Sequence, residues 1–225
     1  MPAITYSADG FPATYGPALV ASKQLSVSWA EIIWAAISVG RGSLSHLTQY
    51  GVFSAFEITY RAAMIYANLR EGPSGILTRS AAYDGLDPSE KGAVSYFVGI
   101  TFAKLFANRL LSVPWLLHLD VYRQQLQPIL AGKTKPDFVG LNAAYDWVVL
   151  EAKGRTNGYE DSVLQRVKSQ TQQLTTIQGS QPVLRAGSLA YFSAGNLQFA
   201  IRDPKGDHGR NKIRDLPLSK DVKMR

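Results

Sequence analysis

Pro136-Asp-Phe-Val-Gly-Leu-Asn-Ala-Ala-Tyr-Asp-Trp-Val-Val-Leu-Glu-Ala-Lys-Gly-Arg155 is the stretch on which the reading of this chain turns. Its two apolar runs, 138–141 and 147–153, are rich in aromatic and β-branched residues and read as strands. The five residues from Asn142 to Asp146 between them suit a hairpin loop. Along the second strand side chains alternate, so Glu151 and Lys153 share one face while Leu150 and Ala152 share the other. A hairpin closing on Leu141 with Trp147 sets Asp137 opposite Glu151, and a slip of one residue would part them.

Upstream of the hairpin the pattern is helical. Asp87-Pro88-Ser89-Glu90 has a capping acid, a proline at the first helical position and a glutamate to close a capping box, so a helix is expected from Asp87 to about Leu111. It is apolar on most sides, interrupted mainly by Lys104, Asn108 and Arg109, and reads as centrally buried. Residues 28–39 and 45–69 carry apolar residues at three- and four-residue spacings and are expected as two further helices. Residues 1–25, rich in Gly, Pro, Ala and Ser, read as an irregular arm. Between the long helix and the hairpin, 115–122 reads as a strand.

Downstream, 159–178 returns to a helical period with Val163, Leu164, Val167, Leu174 and Ile177 on its buried stripe. A second hairpin is expected from 188–193 and 197–202 around Ala194-Gly195-Asn196. Asp203 onward is polar, basic and without apolar periodicity, which reads as a tail. The chain thus divides into 1–86 as arm and helical N-terminal region, 87–202 as the core, and 203–225 as a basic tail. The fold class expected is α/β.

Composition narrows the chemistry. With 225 residues, 46% of them hydrophobic, the chain is long enough for one substantial core. It contains no cysteine, so disulfides, thiolate metal sites and a thiol nucleophile are excluded. No oxidising compartment is called for, the Met-Pro-Ala start does not read as a secretory signal, and a cytoplasmic location is expected. The most apolar run, 27–39, is interrupted by Glu31 and too short to span a bilayer, so no membrane partner is expected. The net charge of +7 is uneven: 5 Lys/Arg stand against 7 Asp/Glu up to Glu90, and 19 against 10 after it. A basic second half suits a polyanionic partner such as nucleic acid.

An acid two residues before a lysine is a weak signal, expected roughly once in a chain of this length. It occurs here three times, at Glu151-Ala152-Lys153, Asp203-Pro204-Lys205 and Asp221-Val222-Lys223. Only the first has both a strand around it and an acid, Asp137, within reach. Two carboxylates converging at the end of an apolar strand repel unless a cation joins them, and hard oxygen ligands suit magnesium or manganese. Such an ion polarises a phosphoryl oxygen and activates water, with Lys153 placed to orient that water or hold developing charge. The plainer reading is a half-exposed hairpin with an incidental Glu and Lys pair.

Pro136-Asp137, thirteen residues, then Glu151-Ala152-Lys153 on Trp147-Val-Val-Leu resembles the PD-(D/E)xK superfamily of restriction-endonuclease-like nucleases. The resemblance covers roughly 87–200 and does not reach the N-terminal helices. It implies an α/β/α core around a mixed sheet, with Asp137 and Glu151 as metal ligands and Lys153 as the catalytic lysine. It offers Glu90, on the preceding helix, as a further metal ligand, although a capping-box acid explains that residue equally. Gln165 and Gln170 are candidates for site support on the following helix, and Arg155 for holding a phosphate. A tyrosine four residues after such a glutamine is missing, which departs from the RecB-like branch.

The three histidines have no metal-ligand spacing, and no GxSxG, phosphate-binding loop or dinucleotide fingerprint occurs. The function expected is metal-dependent hydrolysis of phosphodiester bonds in DNA, in a setting such as bacterial defence or repair. The alternative is a catalytically silent nuclease-fold module that binds nucleic acid or protein. The N-terminal helices are the candidate face for a second copy or a protein partner.

Overall fold

The structure, a computed structural model, describes residues 1–20 and 22–203. In chain order it consists of β1 (Ala3–Asp9), β2 (Lys23–Ser26), α1 (Trp29–Ser38), α2 (Leu44–Thr48), α3 (Val52–Asn68), β3 (Leu69–Glu71), β4 (Leu77–Arg79), α4 (Ala81–Asp84) and α5 (Pro88–Leu111), followed by β5 (Leu117–His118), α6 (Arg123–Leu126), β6 (Ile129–Leu130), β7 (Phe138–Leu141), β8 (Trp147–Arg155), α7 (Asp161–Thr171), β9 (Leu174–Thr176), β10 (Leu184–Ser193) and β11 (Asn196–Arg202). The fold is α/β with a mixed sheet, ordered β2-β1-β11-β10-β8-β7-β5. The pairs β1 with β11 and β8 with β10 are parallel, and the other neighbours along that path are antiparallel.

Helices cover both faces. Val148, Leu150 and Ala152 of β8 join Phe102 and Phe106 of α5 in the main core, whereas Val149 packs with Leu119, Tyr122 and Ile177 on the other side. The backbones of α5 and β8 approach so closely that a Cβ on Gly154 would lie 1.6 Å from the Ser95 carbonyl oxygen, so only glycine fits there. On the opposite face, Gly187 of β10 meets the backbone of α7 at Lys168. The two contacts pin β8 and β10 between α5 and α7.

The helix starts follow local chemistry. Asp87 accepts from the backbone N–H groups of Ser89 and Glu90, and Glu90 Oε2 accepts from Asp87 N at 3.1 Å, completing the expected capping box. Ser28 and Glu31 do the same for α1. The β10–β11 turn is Ala194-Gly195, both at positive φ (48° and 81°), the geometry of a tight two-residue hairpin.

Several expectations are corrected. The arm is not irregular throughout: β1 pairs from Thr5 to Asp9 with β11 and buries Ile4 and Tyr6 in the main core, and β2 extends the sheet beyond it. The helix expected over 45–69 is two helices parted at Gly51, whose φ is 57°. Only Leu117–His118 of the strand expected over 115–122 pairs, with β7. Helix α7 stops at Thr171, and Leu174 belongs to β9, which pairs with β6 instead of continuing a helical stripe. Asp203, read as the start of the tail, is buried and donates its N–H to the Asp9 carbonyl at 3.0 Å. Residues 204–225 of the expected tail lie outside the described residues. Among the described residues no helix is long and apolar enough to cross a membrane.

Candidate active site

The hairpin closes on Leu141 with Trp147, and its ladder runs to Phe138 with Leu150. Asp137 and Glu151 are therefore the next facing pair, and their side chains take over where the ladder stops. The backbone N–H of Asp137 donates to Glu151 Oε2 at 2.8 Å, and the N–H of Ala152 donates to Asp137 Oδ2 at 3.2 Å. Each carboxylate is thus anchored by the backbone of the opposite strand. The Asp137 carbonyl in turn accepts from Leu119 N at 3.0 Å, which ties the site to the segment after β5.

Lys153, two residues along the same face of β8, sets its Nζ 2.7 Å from Glu151 Oε1. The Glu151 side chain is 1% exposed and that of Lys153 41%, so the pair leads from the interior to solvent. Burial, and next the nearby charge of Asp137, push the Glu151 carboxyl up to about 7, while Lys153 pulls it the other way. Burial draws the Lys153 ammonium down, but its hydrogen bond to Glu151 and the charges of Glu151 and Asp137 outweigh this and hold it above the ordinary lysine range.

Two flanking groups carry no signal in the sequence. Tyr96, on α5 one turn before Gly99, feels the charges of Asp137, Lys153 and Glu151; burial and then Asp137 raise its phenol. His118 stands beside Phe138 in the β5–β7 pairing, its ring 4.5 Å from the phenylalanine ring. Burial lowers its imidazole and Asp137 opposes that shift. Phase relative to the sheet placed both, and only a known packing of α5 and β5 on the hairpin supplies that phase.

Among the described residues no hydrogen bond or ion pair joins the other candidates to the carboxylate pair. Glu90 is exposed at the start of α5, its carboxylate taken by its own capping box. Gln165 is exposed, donates weakly to Asp161 at 3.4 Å, and lines a polar pocket with Asp9, Lys168 and Arg202. Gln170 is half-buried, and no hydrogen bond among the described residues joins it to either carboxylate. Arg155 continues the face of Glu151 and Lys153 but forms an ion pair with Glu160 at 2.7 Å. Among the described residues no group of three or more His, Cys, Asp or Glu converges as a metal cage.

The donor set nonetheless fits a small hard cation. Magnesium is commonly held by one or two carboxylates with the remaining positions given to water and substrate phosphate. After the backbone N–H groups have claimed Oε2 and Oδ2, Oδ1 of Asp137 and Oε1 of Glu151 are the oxygens left for an ion, the latter shared with Lys153. Comparison of the chain with models of protein families, with curated proteins and with solved structures finds no match. A functional reading of this chain therefore rests on the geometry of the hairpin.

Proposed function

We propose that this chain is a metal-dependent nuclease that hydrolyses phosphodiester bonds of DNA, with a restriction-endonuclease-like core built from α5 to β11. The observation that supports it is the convergence of Asp137, Glu151 and Lys153 at the solvent-reaching end of β8, in the register the motif requires. Magnesium or manganese, held by Asp137 and Glu151, would supply polarisation of a phosphoryl oxygen and a more acidic water. The chain's own part is to fix the two carboxylates through Asp137 N and Ala152 N, so that they need not reorganise when charge develops. Lys153 holds an ammonium beside them, placed to steady the attacking water or the developing negative charge. The basic second half of the chain supplies attraction for a phosphate backbone.

One observation favours a second reading, a nuclease-fold module that binds without cutting. Glu151 is satisfied by the protein's own Lys153 and Asp137 N–H, and no third acid joins the pair among the described residues. Incubation of the purified chain with supercoiled plasmid in magnesium, in manganese and in excess chelator separates the two. Cleavage that needs the ion and stops on chelation is expected. Cleavage persisting in chelator would exclude the mechanism, and binding in calcium with no turnover in any ion would leave the silent module.

A further inference from the structure

Helix α3 is inside out for a helix that borders water. Its charged residues, Glu57 and Arg61, turn toward the molecule, where Arg61 donates to the carbonyls of Ala36 and Val39 and both Arg61 and Arg41 bond Glu57. Its solvent face consists instead of Val52, Phe53, Phe56, Tyr60 and Tyr66, exposed between 58% (Tyr66) and 74% (Phe53). Ala55, Thr59, Ala63 and Ala67 fill the spaces between them. No charged side chain lies on this face. Tyr50 and Leu44, in the segment before the helix, are 60% and 63% exposed as well.

Aromatic side chains carry about 150–250 Å² each, so the exposed fractions on α3 amount to something on the order of 600 Å² of largely apolar surface. That stands at the top of the roughly 300–600 Å² of the largest patch on a typical monomer, and with Tyr50 and Leu44 it approaches the ~800 Å² that each partner contributes to a stable interface.

We propose that this face is where the chain associates with a second copy of itself, α3 packing antiparallel on α3 about a two-fold axis near Thr59 and Tyr60. A two-fold interface must be self-complementary, because the same patch meets itself. Centred between residues 59 and 60, the antiparallel arrangement sets Phe56 opposite Ala63, Val52 opposite Ala67, Thr59 opposite Tyr60, and Phe53 opposite Tyr66. Large side chains then meet small ones along the helix, and rings meet at its two ends. An uncharged aromatic surface offers no cation to a phosphate backbone, so it is a poor match for duplex nucleic acid. Residues 204–225, with seven Lys/Arg against three Asp, find no counter-charge on this face, and their hold on it would be limited to cation–π contacts. The inference is independent of the carboxylate site, and α3 lies outside the region that resembles a nuclease.

Sedimentation of the full chain at micromolar concentration is expected to show a dimer. Phe56→Glu and Tyr60→Glu, both at exposed positions, are each expected to weaken it by at least ~30-fold while preserving the helical circular dichroism. The absence of natural cysteines makes cross-linking a direct check of register. Thr59→Cys is expected to link to its own copy on mild oxidation, and Val52→Cys to link only when mixed with Ala67→Cys. A monomer at all concentrations, or a dimer indifferent to both glutamates, overturns the proposal, and Val52→Cys linking to itself overturns the antiparallel register. Dimerisation that appears only on deleting 204–225 would assign the face to the chain's own end. Binding of a monomer to neutral phospholipid vesicles would assign it to lipid. Either result overturns the proposal as well.

Discussion

Among the buried charged side chains, Glu151 at the end of β8 and Lys104 in the middle of α5 have 0% and 1% of their surface exposed. Their surroundings differ in kind. Glu151 has a backbone N–H on one oxygen, an ammonium on the other, a second carboxylate opposite and a path to solvent along Lys153. Lys104 has none of these: burial alone acts on its amine and lowers it to about 8, and no partner for it occurs among the described residues. A buried charge surrounded by converging polar groups is a site in which chemistry can be arranged. A buried charge among apolar side chains is a cost to the fold.

The contrast can be broken most decisively at the site. Asp137→Ala, Glu151→Ala and Lys153→Ala are each expected to lower plasmid cleavage by on the order of 10³-fold or more while the thermal transition stays cooperative. Full activity in either acid variant would remove the carboxylate pair from the mechanism.

Lys104→Met tests the other side. The folded amine titrates near 8 and the unfolded one near 10.5, so the folded state disfavours the proton. Stability is lowest below pH 8 and recovers as pH rises toward 10.5, where both states are neutral. At pH 7 the methionine variant is expected to be more stable by about 3 kcal/mol, with the gain shrinking by pH 10. Denaturant titrations of both proteins at the two pH values measure this, and a variant no more stable than the parent at pH 7 would show that Lys104 has found compensation.

The smallest expected effect sharpens the comparison from within the site. Glu151 titrates near 7 in the fold against 4.5 in the open chain, so its contribution to stability is full below pH 4.5 and lost as pH rises through 7. In chelator, Glu151→Gln is expected to flatten that decline and to exceed the parent at pH 8 by on the order of 2 kcal/mol. The amide gives up part of the gain because it loses the ion pair with Lys153. A parent whose stability rises from pH 5 to pH 8 by more than the variant's would contradict the raised titration.

The local signals in the sequence were the dependable ones. Asp87-Pro88 marks the start of α5 because capping chemistry acts within four residues, and the Leu141–Trp147 closure follows from the alternation of the two strands. Long-range partners were not legible. Ile4, Tyr6 and Ala8 alternate as a strand does, but Ala3, Thr5 and Ser7 between them are small or polar, and the strand that pairs with them lies at 196–202. Leu174 and Ile177 fit the helical spacing of 163–167 by coincidence, across a gap that holds Gln170, Gln172 and Gln173. In α3 the period announced a helix without saying which side met the core, and the charged side proved to be the inner one. Site residues drawn from one hairpin were readable; Tyr96 and His118, which reach the pair from other elements, were not.

The parallel seam between β1 and β11 also sets a timetable. Residues 3–9 leave the ribosome long before 196–202, and although β2 can pair with them early, β1 cannot join the centre of the sheet until the later strand has been made. The seam joins nearly the two ends of the described chain, so forming it fixes a very large loop, an entropic cost that grows slowly with length but falls early on the folding path. Until then β1 can pack on α5, where Tyr6 meets Phe106, but its edge toward the centre of the sheet stays unpaired. Closure of that seam is therefore expected to be among the slower steps of folding.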